Sequence, residues 1–402
     1  MERQLPLEGI RVVDLTIWIQ GPLAASILGG LGAEVIKIEK PGQGDFSRGS
    51  RSMMGQSLIT PDGRNLLWEL PNRNKKGIAV NVYHPKGREV LYRLVETADV
   101  MVTNLHPRTL VEMGADKETI LKHNPNIIYA RSTGFGPRGP HCEDPCQDTV
   151  GMARSGFMFV SSGPDGDPIY PPGGITDVLS ATMLAFGVMT SLLAKERTGK
   201  TAGVYASQLG TMMWQAMYPV SVYANLGEEF PPYDRTNVVQ PLMNIYKCAD
   251  GLWFASGIFV SDRFWHEFCV AMGLEHLEHD PRFTTEAIRA EHHKELIPIL
   301  DETFASQPRA EWERRFRELG LWCSIVNRYR DLPGDPQVQA NDYLVTLDNG
   351  VRSAALPFEL DGMKPRRQGA PEHSQDTDDV LQEICGYTWD EVVEMKAEEV
   401  VW

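Results

Sequence analysis

The sequence predicts an α/β protein with a large, Rossmann-like domain built on a doubly wound parallel sheet, followed by a smaller α/β domain. Through the first half of the chain, short runs rich in β-branched residues alternate with longer stretches of helical periodicity. That alternation is typical of parallel strands joined by crossover helices. The length of 402 residues and the 42% share of hydrophobic residues also allow a large buried core.

The predicted strands of this sheet are Arg11–Leu15, Glu34–Glu39, Ile78–Val82, Asp99–Thr103 and Asn126–Ala130. Helices are predicted between them, including Pro22–Leu31 and Pro85–Ala98. Ligands of doubly wound sheets bind beyond the carboxyl ends of the strands. We therefore expect a binding site in the loops that open at Thr16, Lys40, Asn104 and Ser132. No Gly-x-Gly-x-x-Gly or phosphate-loop motif accompanies these loops, which disfavours dinucleotide and nucleoside-triphosphate sites.

A paired-glycine break, Gly173-Gly174, precedes a long apolar stretch that is predicted to be helical to about Lys195. Asp177 lies at the start of this helix. A carboxylate in that position can accept hydrogen bonds from first-turn amides as an N-cap, or it can stand in a cleft as a nucleophile toward an activated acyl group. The residue type and position alone leave both roles open.

A proline-rich, polar connection at residues 226–242 marks a second domain. Its predicted strands lie near Asn244–Lys247 and Leu252–Ala255, and its predicted helices are Asp262–Met272 and Ala310–Leu319. A loop-rich stretch from Asp331 then leads to an acidic pair of C-terminal helices. The predicted organisation is a large domain at 1–225, a small domain at 226–330 and a return segment at 331–402 that packs on the large domain.

The formal net charge of −15 argues against a nucleic acid or an anionic membrane as partner, since both are bound through excess Lys and Arg. The N-terminal residues have no apolar signal segment, and the apolar stretch Val178–Ala194 is interrupted by Ser and Thr, which favours a buried helix over a membrane span. Six scattered cysteines form no disulfide framework, and no second Cys or His pair accompanies His141-Cys142 and Cys146. We expect a cytoplasmic protein without a metal site.

Short motifs occur in order along the chain: Leu7–Thr16 with Gly21-Pro22, Leu31–Glu39, Asn74–Lys76, Ala98–Asn104, Gly134–Gly136 with Gly139-Pro140, and Lys195–Gly199. As a set, they resemble the class III coenzyme A transferases, the group of formyl-CoA transferase and carnitine CoA-transferase, over nearly the whole chain. The small-domain pattern looks closer to the branch that handles aryl-lactates, 2-hydroxy acids and benzylsuccinate. The resemblance implies an acyl-CoA:carboxylate CoA-transferase that assembles as an interlocked dimer or an equivalent heteromer.

In this family the nucleophile is the Asp at the start of the long helix, and by position that residue is Asp177. The resemblance implies that it forms a mixed anhydride with the donor acyl group and then an aspartyl-CoA thioester, with coenzyme A thioester as substrate and no tightly bound cofactor. The residues implied in CoA binding are Trp18, Ile19, Gln20, Lys40, Lys75, Asn104 and Leu105. Without the resemblance, a solvated surface cation is the better interpretation of any single Lys, Lys40 and Lys75 included.

Two further expectations come from the residues themselves. Backbone amides near Gly136 or at the Gly21-Pro22 helix start are candidate donors to the thiolate and the developing oxyanion. Arg138 is a candidate partner for a CoA phosphate, and a plain turn at that position is an equally good interpretation.

Three positions depart from the family pattern. Ile19 stands where formyl-CoA transferase has a catalytic Gln, and Gln20 is displaced by one position. Glu112 replaces a basic residue that the family can place before Met-Gly. Ala255–Phe259 stands where formyl-CoA transferase has a polyglycine loop, which implies a different lid and a bulkier acyl group.

Two alternatives remain at this point. An α-methylacyl-CoA racemase of the same fold needs a His base before an Asp. This chain has Gln147 before Asp148, and a glutamine side chain cannot act as a base. A catalytically silent partner subunit of a heteromeric transferase is the other alternative, which the retained Asp177 argues against. Succinyl-CoA is the candidate donor, and an aromatic acid, a dicarboxylic acid such as benzylsuccinate or a 2-hydroxy acid is the candidate acceptor.

Overall fold

The computed structural model describes residues 4–160, 162 and 165–402. Two compact units divide them. The first unit contains the described residues up to Val160 together with Ile169–Glu229 and Asn341–Trp402, and the second contains residues 162 and 165–168 together with Phe230–Ala340.

The strands are β1 Arg11–Leu15, β2 Glu34–Glu39, β3 Ser52–Met53, β4 Gln56–Ser57, β5 Lys76–Ala79, β6 Val100–Thr103, β7 Ile128–Thr133, β8 Val204–Ser207, β9 Met243–Lys247, β10 Trp253–Gly257, β11 Cys323–Ile325, β12 Leu344–Thr346 and β13 Arg352–Ala354. The first ten helices are α1 Gln20–Gly30, α2 Phe46–Gly49, α3 Leu66–Asn72, α4 Pro85–Thr97, α5 Pro107–Met113, α6 Lys117–His123, α7 Asp148–Arg154, α8 Ile175–Thr198, α9 Gln208–Gln215 and α10 Met217–Leu226. The remaining helices are α11 Trp265–Met272, α12 Glu286–Glu291, α13 His293–Phe304, α14 Arg309–Glu318, α15 Pro336–Ala340, α16 Thr377–Glu383 and α17 Trp389–Ala397.

The first unit is organised by a six-stranded parallel sheet in the order β5-β2-β1-β6-β7-β8. From β1 the chain builds outward through β2 to β5 and then returns to the other side of β1 to build β6, β7 and β8. This is the strand order of a Rossmann fold, and the predicted fold class is confirmed. The order reverses between β1 and β6, so the crevice for a ligand is expected where these two strands end.

Helices cover both faces of this sheet, and the strands alternate their side chains between two apolar clusters. Val12 packs with Leu28 of α1 and Leu184 of α8 on one face. The neighbouring Val13 packs on the other face, with Leu91 of α4 and Val392 of α17 among its cluster. The C-terminal helices are therefore part of the core of the first unit.

Three strands of the sheet differ from the sequence prediction, and β6 differs only in that it begins at Val100. β5 occupies Lys76–Ala79, because Val80 pairs with Val401 and the chain turns at Asn81 toward α4. β7 begins only at Ile128, since Asn124 closes a turn by accepting the backbone N–H of Asn126 and of Ile127. At its other end, β7 extends to Thr133, so the following loop opens after that residue rather than at the predicted Ser132.

Buried ion pairs connect β1 and β2 to the segments beside them. The Lys75 ammonium lies 2.7 Å from an Asp14 carboxylate oxygen, and Lys37 lies 3.1 Å from Asp45, with all four side chains essentially inaccessible. Lys37 also donates to the carbonyl oxygen of Thr16 at 2.6 Å. Burial alone would lower the pKa of Lys37, but the surrounding carboxylates outweigh it and raise that pKa.

The helix α8 is the one described helix that is long and apolar enough to cross a membrane by length and composition. Its inner face contributes Ala181, Leu184 and Val188 to the core of the first unit. Packing against the parallel sheet thus accounts for the apolar character of this face.

The second unit contains the antiparallel sheet β11-β10-β9 covered by helices. An aromatic core holds it together, in which Tyr246 of β9 stacks on Phe304 of α13 at 4.5 Å between ring centroids. Arg289 is buried in this unit and donates to the carbonyl oxygen of Phe283 at 2.7 Å and to Ser261 at 2.9 Å. A strand and helix pattern of this kind is the α/β small domain that the sequence predicts.

Candidate active site

The helix α8 begins immediately after two glycines with left-handed backbone. Gly173 has φ +116° and Gly174 has φ +69°, and Gly174 is the N-cap residue of the helix. A left-handed N-cap suits glycine because it has no Cβ to clash with the backbone. Asp177 is the third residue of the helix and its side chain caps no amide of the first turn. The N-cap interpretation of Asp177 is therefore wrong.

Asp177 instead belongs to a hydrogen-bonded polar cluster that its side chain and its backbone N–H both join. Its Oδ1 accepts a hydrogen bond from Gln208 Nε2 at 2.6 Å. Its backbone N–H donates to Asp148 Oδ1 at 3.0 Å, and the other oxygen of Asp148 accepts from the Tyr170 hydroxyl at 2.9 Å. The thiol of Cys146 donates to Gln208 Oε1 at 2.9 Å. We refer to Cys146, Asp148, Tyr170, Asp177 and Gln208 as the aspartate cluster.

The topology explains why these residues meet. Cys146 and Asp148 follow the carboxyl end of β7, and Gln208 directly follows β8. Since α8 runs antiparallel to the strands that it connects, its N-terminus lies at the same carboxyl edge. The aspartate cluster is therefore built at the edge of the sheet where the fold places its ligands.

Electrostatics make Asp177 unusual. Burial, followed by the neighbouring Asp148 carboxylate, raises its pKa to about 7, and the hydrogen bond from Gln208 opposes this shift. Burial, with the same two carboxylates, raises the pKa of the Cys146 thiol to about 11. At neutral pH the thiol is protonated, which makes it a hydrogen-bond donor and not a nucleophile.

The loop between β1 and α1 lies at the switch point of the sheet. Asn104, at the end of β6, accepts the Ile17 N–H at 2.9 Å and donates to the Ile17 carbonyl at 2.8 Å. Trp18 has a positive φ of 65°, donates its N–H to Asp45 at 3.2 Å and stacks on Phe46. Asn104 and Asp45 thus fix the backbone conformation of this loop.

Ile19 and Gln20 follow at the start of α1. The Cδ1 atom of Ile19 lies 3.9 Å from the position that a Cβ on Gly174 would occupy, so this side chain adjoins the loop before Asp177. Gln20 is buried, and its Nε2 has no hydrogen-bond partner within the described residues. The displaced glutamine is therefore present as a buried amide with an unused donor.

The other predicted site residues are distributed more widely. Lys40 and Arg138 are exposed, whereas Lys75 is buried and paired with Asp14, so the structure contradicts a solvated Lys75. Leu105 packs against the core. Gly136 donates its N–H to Thr133 Oγ1 at 3.0 Å, which occupies the amide that was expected to serve an oxyanion.

Sequence reasoning missed most of the aspartate cluster. Asp148 was visible only as the Asp after Gln147, and Gln147 itself is exposed. Gln208 and Tyr170 carried no signal, because their importance depends on which loops the sheet brings together. Among the described residues, no group of three or more His, Cys, Asp or Glu side chains is arranged to hold a metal ion.

Comparison with known proteins gives the family. The profile described as CoA-transferase family III matches residues 7–377. The chain belongs to CoA-transferase family III. This CoA-transferase is 32% identical to (R)-2-hydroxy-4-methylpentanoate CoA-transferase of Clostridioides difficile, over 98% of the chain and 99% of that protein. It is also 32% identical to succinyl-CoA:glutarate CoA-transferase of Mus musculus, over 95% of the chain and 87% of that protein.

A solved structure of a CAIB/BAIF family protein from Brucella suis shares the fold of this CoA-transferase. The TM-score is 0.84, and the match covers 95% of the chain and all of that protein at 24% identity. The predicted family and enzyme class are confirmed by these comparisons, and the acyl-CoA substrate class follows from the family.

The raised pKa of Asp177 predicts a pH-dependent effect on stability. Because the folded protein holds this proton up to about pH 7 and the unfolded chain releases it near pH 4, the ionised carboxylate destabilises the fold as pH rises through that window. Asp177→Asn should therefore raise the free energy of unfolding by roughly 1–3 kcal/mol at about pH 8, and by much less near pH 4. Urea denaturation of both proteins at the two pH values measures the difference. An equal effect at both would contradict the shifted pKa.

Proposed function

We propose that the protein transfers coenzyme A from a donor acyl-CoA to an acceptor carboxylic acid, with Asp177 as the covalent nucleophile. The observation that carries this proposal is the position of the Asp177 carboxylate. It is a half-buried acid that caps no helix and contacts a second carboxylate residue at the ligand edge of the sheet. Such perturbed acids are characteristic of catalytic sites.

The proposed chemistry proceeds by two half-reactions, each of two acyl substitutions. An Asp177 oxygen attacks the donor thioester, the carbon–sulfur bond breaks, and the CoA thiolate departs. The product on the enzyme is a mixed anhydride of Asp177 and the donor acyl group. The thiolate then attacks the aspartyl carbonyl, which releases the donor acid and forms an aspartyl-CoA thioester. The acceptor carboxylate attacks this thioester, the carbon–sulfur bond breaks, and the CoA thiolate is expelled as a new anhydride forms between Asp177 and the acceptor. The thiolate then attacks the acceptor's acyl carbonyl. The acceptor leaves as acyl-CoA and Asp177 is regenerated.

Only ionised Asp177 can begin this sequence. With a pKa of about 7, a large fraction is ionised at neutral pH, and this carboxylate is more basic than an ordinary aspartate. Asp148 positions the backbone of Asp177, because it accepts the hydrogen bond of the Asp177 N–H. Tyr170 fixes Asp148 in turn by donating its hydroxyl to the other carboxylate oxygen. These contacts fix where the first turn of α8 presents its carboxylate.

Developing negative charge needs donors nearby. The Gly136 N–H already has a partner, which favours the start of α1 as the source of donors. Among the described residues, no side chain caps this 11-residue helix, so its first amides remain available. The proposed contacts to the CoA moiety come from the loops at the carboxyl edge of the sheet, through Ile19, Gln20, Lys40, Asn104 and Arg138. Trp18, in the loop before α1, is proposed to lie beside the thioester and its acyl group.

For the substrates, we propose succinyl-CoA as donor and a 2-hydroxy, dicarboxylic or aromatic acid as acceptor. The relatives support this proposal through their own activities, one with (R)-2-hydroxy-4-methylpentanoate and one with succinyl-CoA and glutarate. A racemase function is less well supported, since Gln147 is exposed and has no acid–base chemistry. A silent subunit is less well supported because the aspartate cluster is fully assembled.

We also propose that the protein functions in the cytoplasm as an interlocked homodimer, or as a heteromer with a related chain. The exposed face of α8 supports an assembly, because Val178, Phe186 and Leu193 recur at helical spacing on that face. The following helices expose further large apolar residues, including Trp214 at 62% and Tyr218 at 74%. Exposed apolar surface on this scale is typical of a protein interface.

The nucleophile proposal predicts that Asp177→Asn lowers CoA transfer at least about a thousandfold, because an amide is too poor a nucleophile to form the anhydride. The variant should remain folded and still bind CoA. Asp167→Asn is the matched control, since it removes an exposed carboxylate close in sequence and should retain full activity. Incubation of the wild type with acyl-CoA followed by hydroxylamine should modify a peptide that contains Asp177. Modification at Asp148, Asp165 or Asp167 would contradict the proposal.

The position of Trp18 predicts an effect on acyl choice. Trp18→Ala should change the ratio of kcat/KM between small and bulky acyl-CoA donors by about tenfold while the affinity for free CoA changes little. Trp18→Phe is the control, because it retains an aromatic ring against Phe46. Equal losses for every donor would show that Trp18 is structural.

The exposed apolar face of α8 predicts a stable dimer of the 45.0 kDa chain. Light scattering at micromolar concentration should give twice the chain mass, and Phe186→Glu should weaken the assembly. Val111→Glu is the control, because Val111 is equally exposed but lies on α5. A monomeric wild type would reject the proposed assembly.

A further inference from the structure

Gln208 is a buried amide whose two ends are both occupied. It is the first residue of α9, and only 3% of it is exposed. Its Nε2 donates to Asp177 Oδ1 at 2.6 Å, and its Oε1 accepts from the Cys146 thiol at 2.9 Å. Ser207 caps α9 by accepting the Gly210 N–H, which fixes the backbone from which this side chain extends.

These contacts determine which way the amide points. An ionised carboxylate can only accept hydrogen bonds, so the NH₂ end of Gln208 must face Asp177. The carbonyl end then faces Cys146, whose protonated thiol supplies the donor that this orientation requires. The opposite orientation would set the amide oxygen against the carboxylate and leave the thiol facing an NH₂ group.

The space around the amide is also restricted. A Cβ added to Gly151 of α7 would lie 2.7 Å from both the Cβ and the Oε1 of Gln208. Gly151 therefore allows α7 to approach α9 closely enough to enclose this side chain. The enclosure limits rotation of the amide about its own axis.

We propose that Gln208, oriented by Cys146, is a positioning residue that holds one oxygen of the Asp177 nucleophile and leaves the other oxygen free to attack the donor thioester. Within the described residues, only Oδ1 of Asp177 has a hydrogen-bond donor. This inference rests on the proposed role of Asp177 and adds to it a residue that selects the attacking atom and favours its ionised form.

The charges that face Asp177 make this hydrogen bond important. Among the residues that the structure describes, the titratable groups around it are Asp148 on α7, Cys146 before α7, and Tyr170, which donates to Asp148. The loop before α1 contributes the neutral Ile19. None of these groups is a cation. Gln208 is therefore the group that stabilises the ionised carboxylate against burial and against Asp148.

The test compares the pH dependence of transfer by the full-length enzyme and two pairs of variants. Gln208→Leu removes the donor at similar volume and should lower kcat at least about tenfold, with KM for acyl-CoA within about twofold. The acidic limb of its kcat/KM profile should move upward by about one pH unit, because the carboxylate loses its donor. Gln208→Glu should show the same upward movement, since it adds a third acid. Hydroxylamine trapping should still modify Asp177 in each variant.

The Cys146 pair tests the orientation of the amide with a smaller perturbation of packing. Cys146→Ser keeps a donor for Gln208 Oε1 and should retain the wild-type profile, whereas Cys146→Ala should shift the limb in the direction of Gln208→Leu. A Gln208→Leu profile like that of the wild type would overturn the proposal, as would identical behaviour of the two Cys146 variants. Failure to trap Asp177 in the wild type would instead reject the nucleophile itself, so the two failures are distinguishable.

Discussion

The buried ion pairs formed by β1 and β2 are the constraint on which the rest of the site depends. Lys75, the residue before β5, pairs with Asp14 of β1, and Lys37 of β2 pairs with the Asp45 carboxylate and donates to the Thr16 carbonyl. Removing one member of such a pair typically costs about 3–5 kcal/mol, because the remaining charge is left buried. The two pairs therefore hold β1, β2 and the start of β5 in a fixed arrangement. The pair of Lys37 and Asp45 also fixes the loop that follows β1, since Asp45 accepts the Trp18 N–H.

The two polar centres of this edge are built in opposite ways. Around Asp14 and Asp45 the structure supplies cations, and burial with the nearby Lys37 charge lowers the pKa of Lys75 to about 8 even against the attraction of Asp14. Around Asp177 the described residues supply a carboxylate, a thiol, a phenol hydroxyl and an amide, but no cation. The first arrangement stabilises fixed charges and gives rigidity. The second leaves a carboxylate close to the point of ionisation at neutral pH, which is suited to a group that must bond covalently and be released again.

The sequence predicted the framework of the large unit because its strands are short, apolar and separated by strong turn signals. It placed β1 and β2 correctly, and it missed β8, whose four residues include Tyr205 and Ala206 and resemble an ordinary connection. It identified Asp177 from one glycine pair and a family resemblance. It did not find Gln208, because that residue reaches Asp177 only when β7, β8 and the start of α8 are brought to one edge. Contacts between distant loops have no local pattern in the chain.

The glycine pair before α8 connects the local sequence pattern to the contacts between distant loops. A side chain at the N-cap would have satisfied the first amides of the helix, and a carboxylate there would have been held by them. Gly174 occupies that position with a left-handed backbone and has no side chain to offer. The Asp148 carboxylate, brought from another segment, accepts the Asp177 N–H instead. The carboxylate of Asp177 is thereby released from any capping role and directed toward Gln208. What the sequence shows as a simple break before a helix is, in the fold, the feature that keeps its first acidic residue available for chemistry.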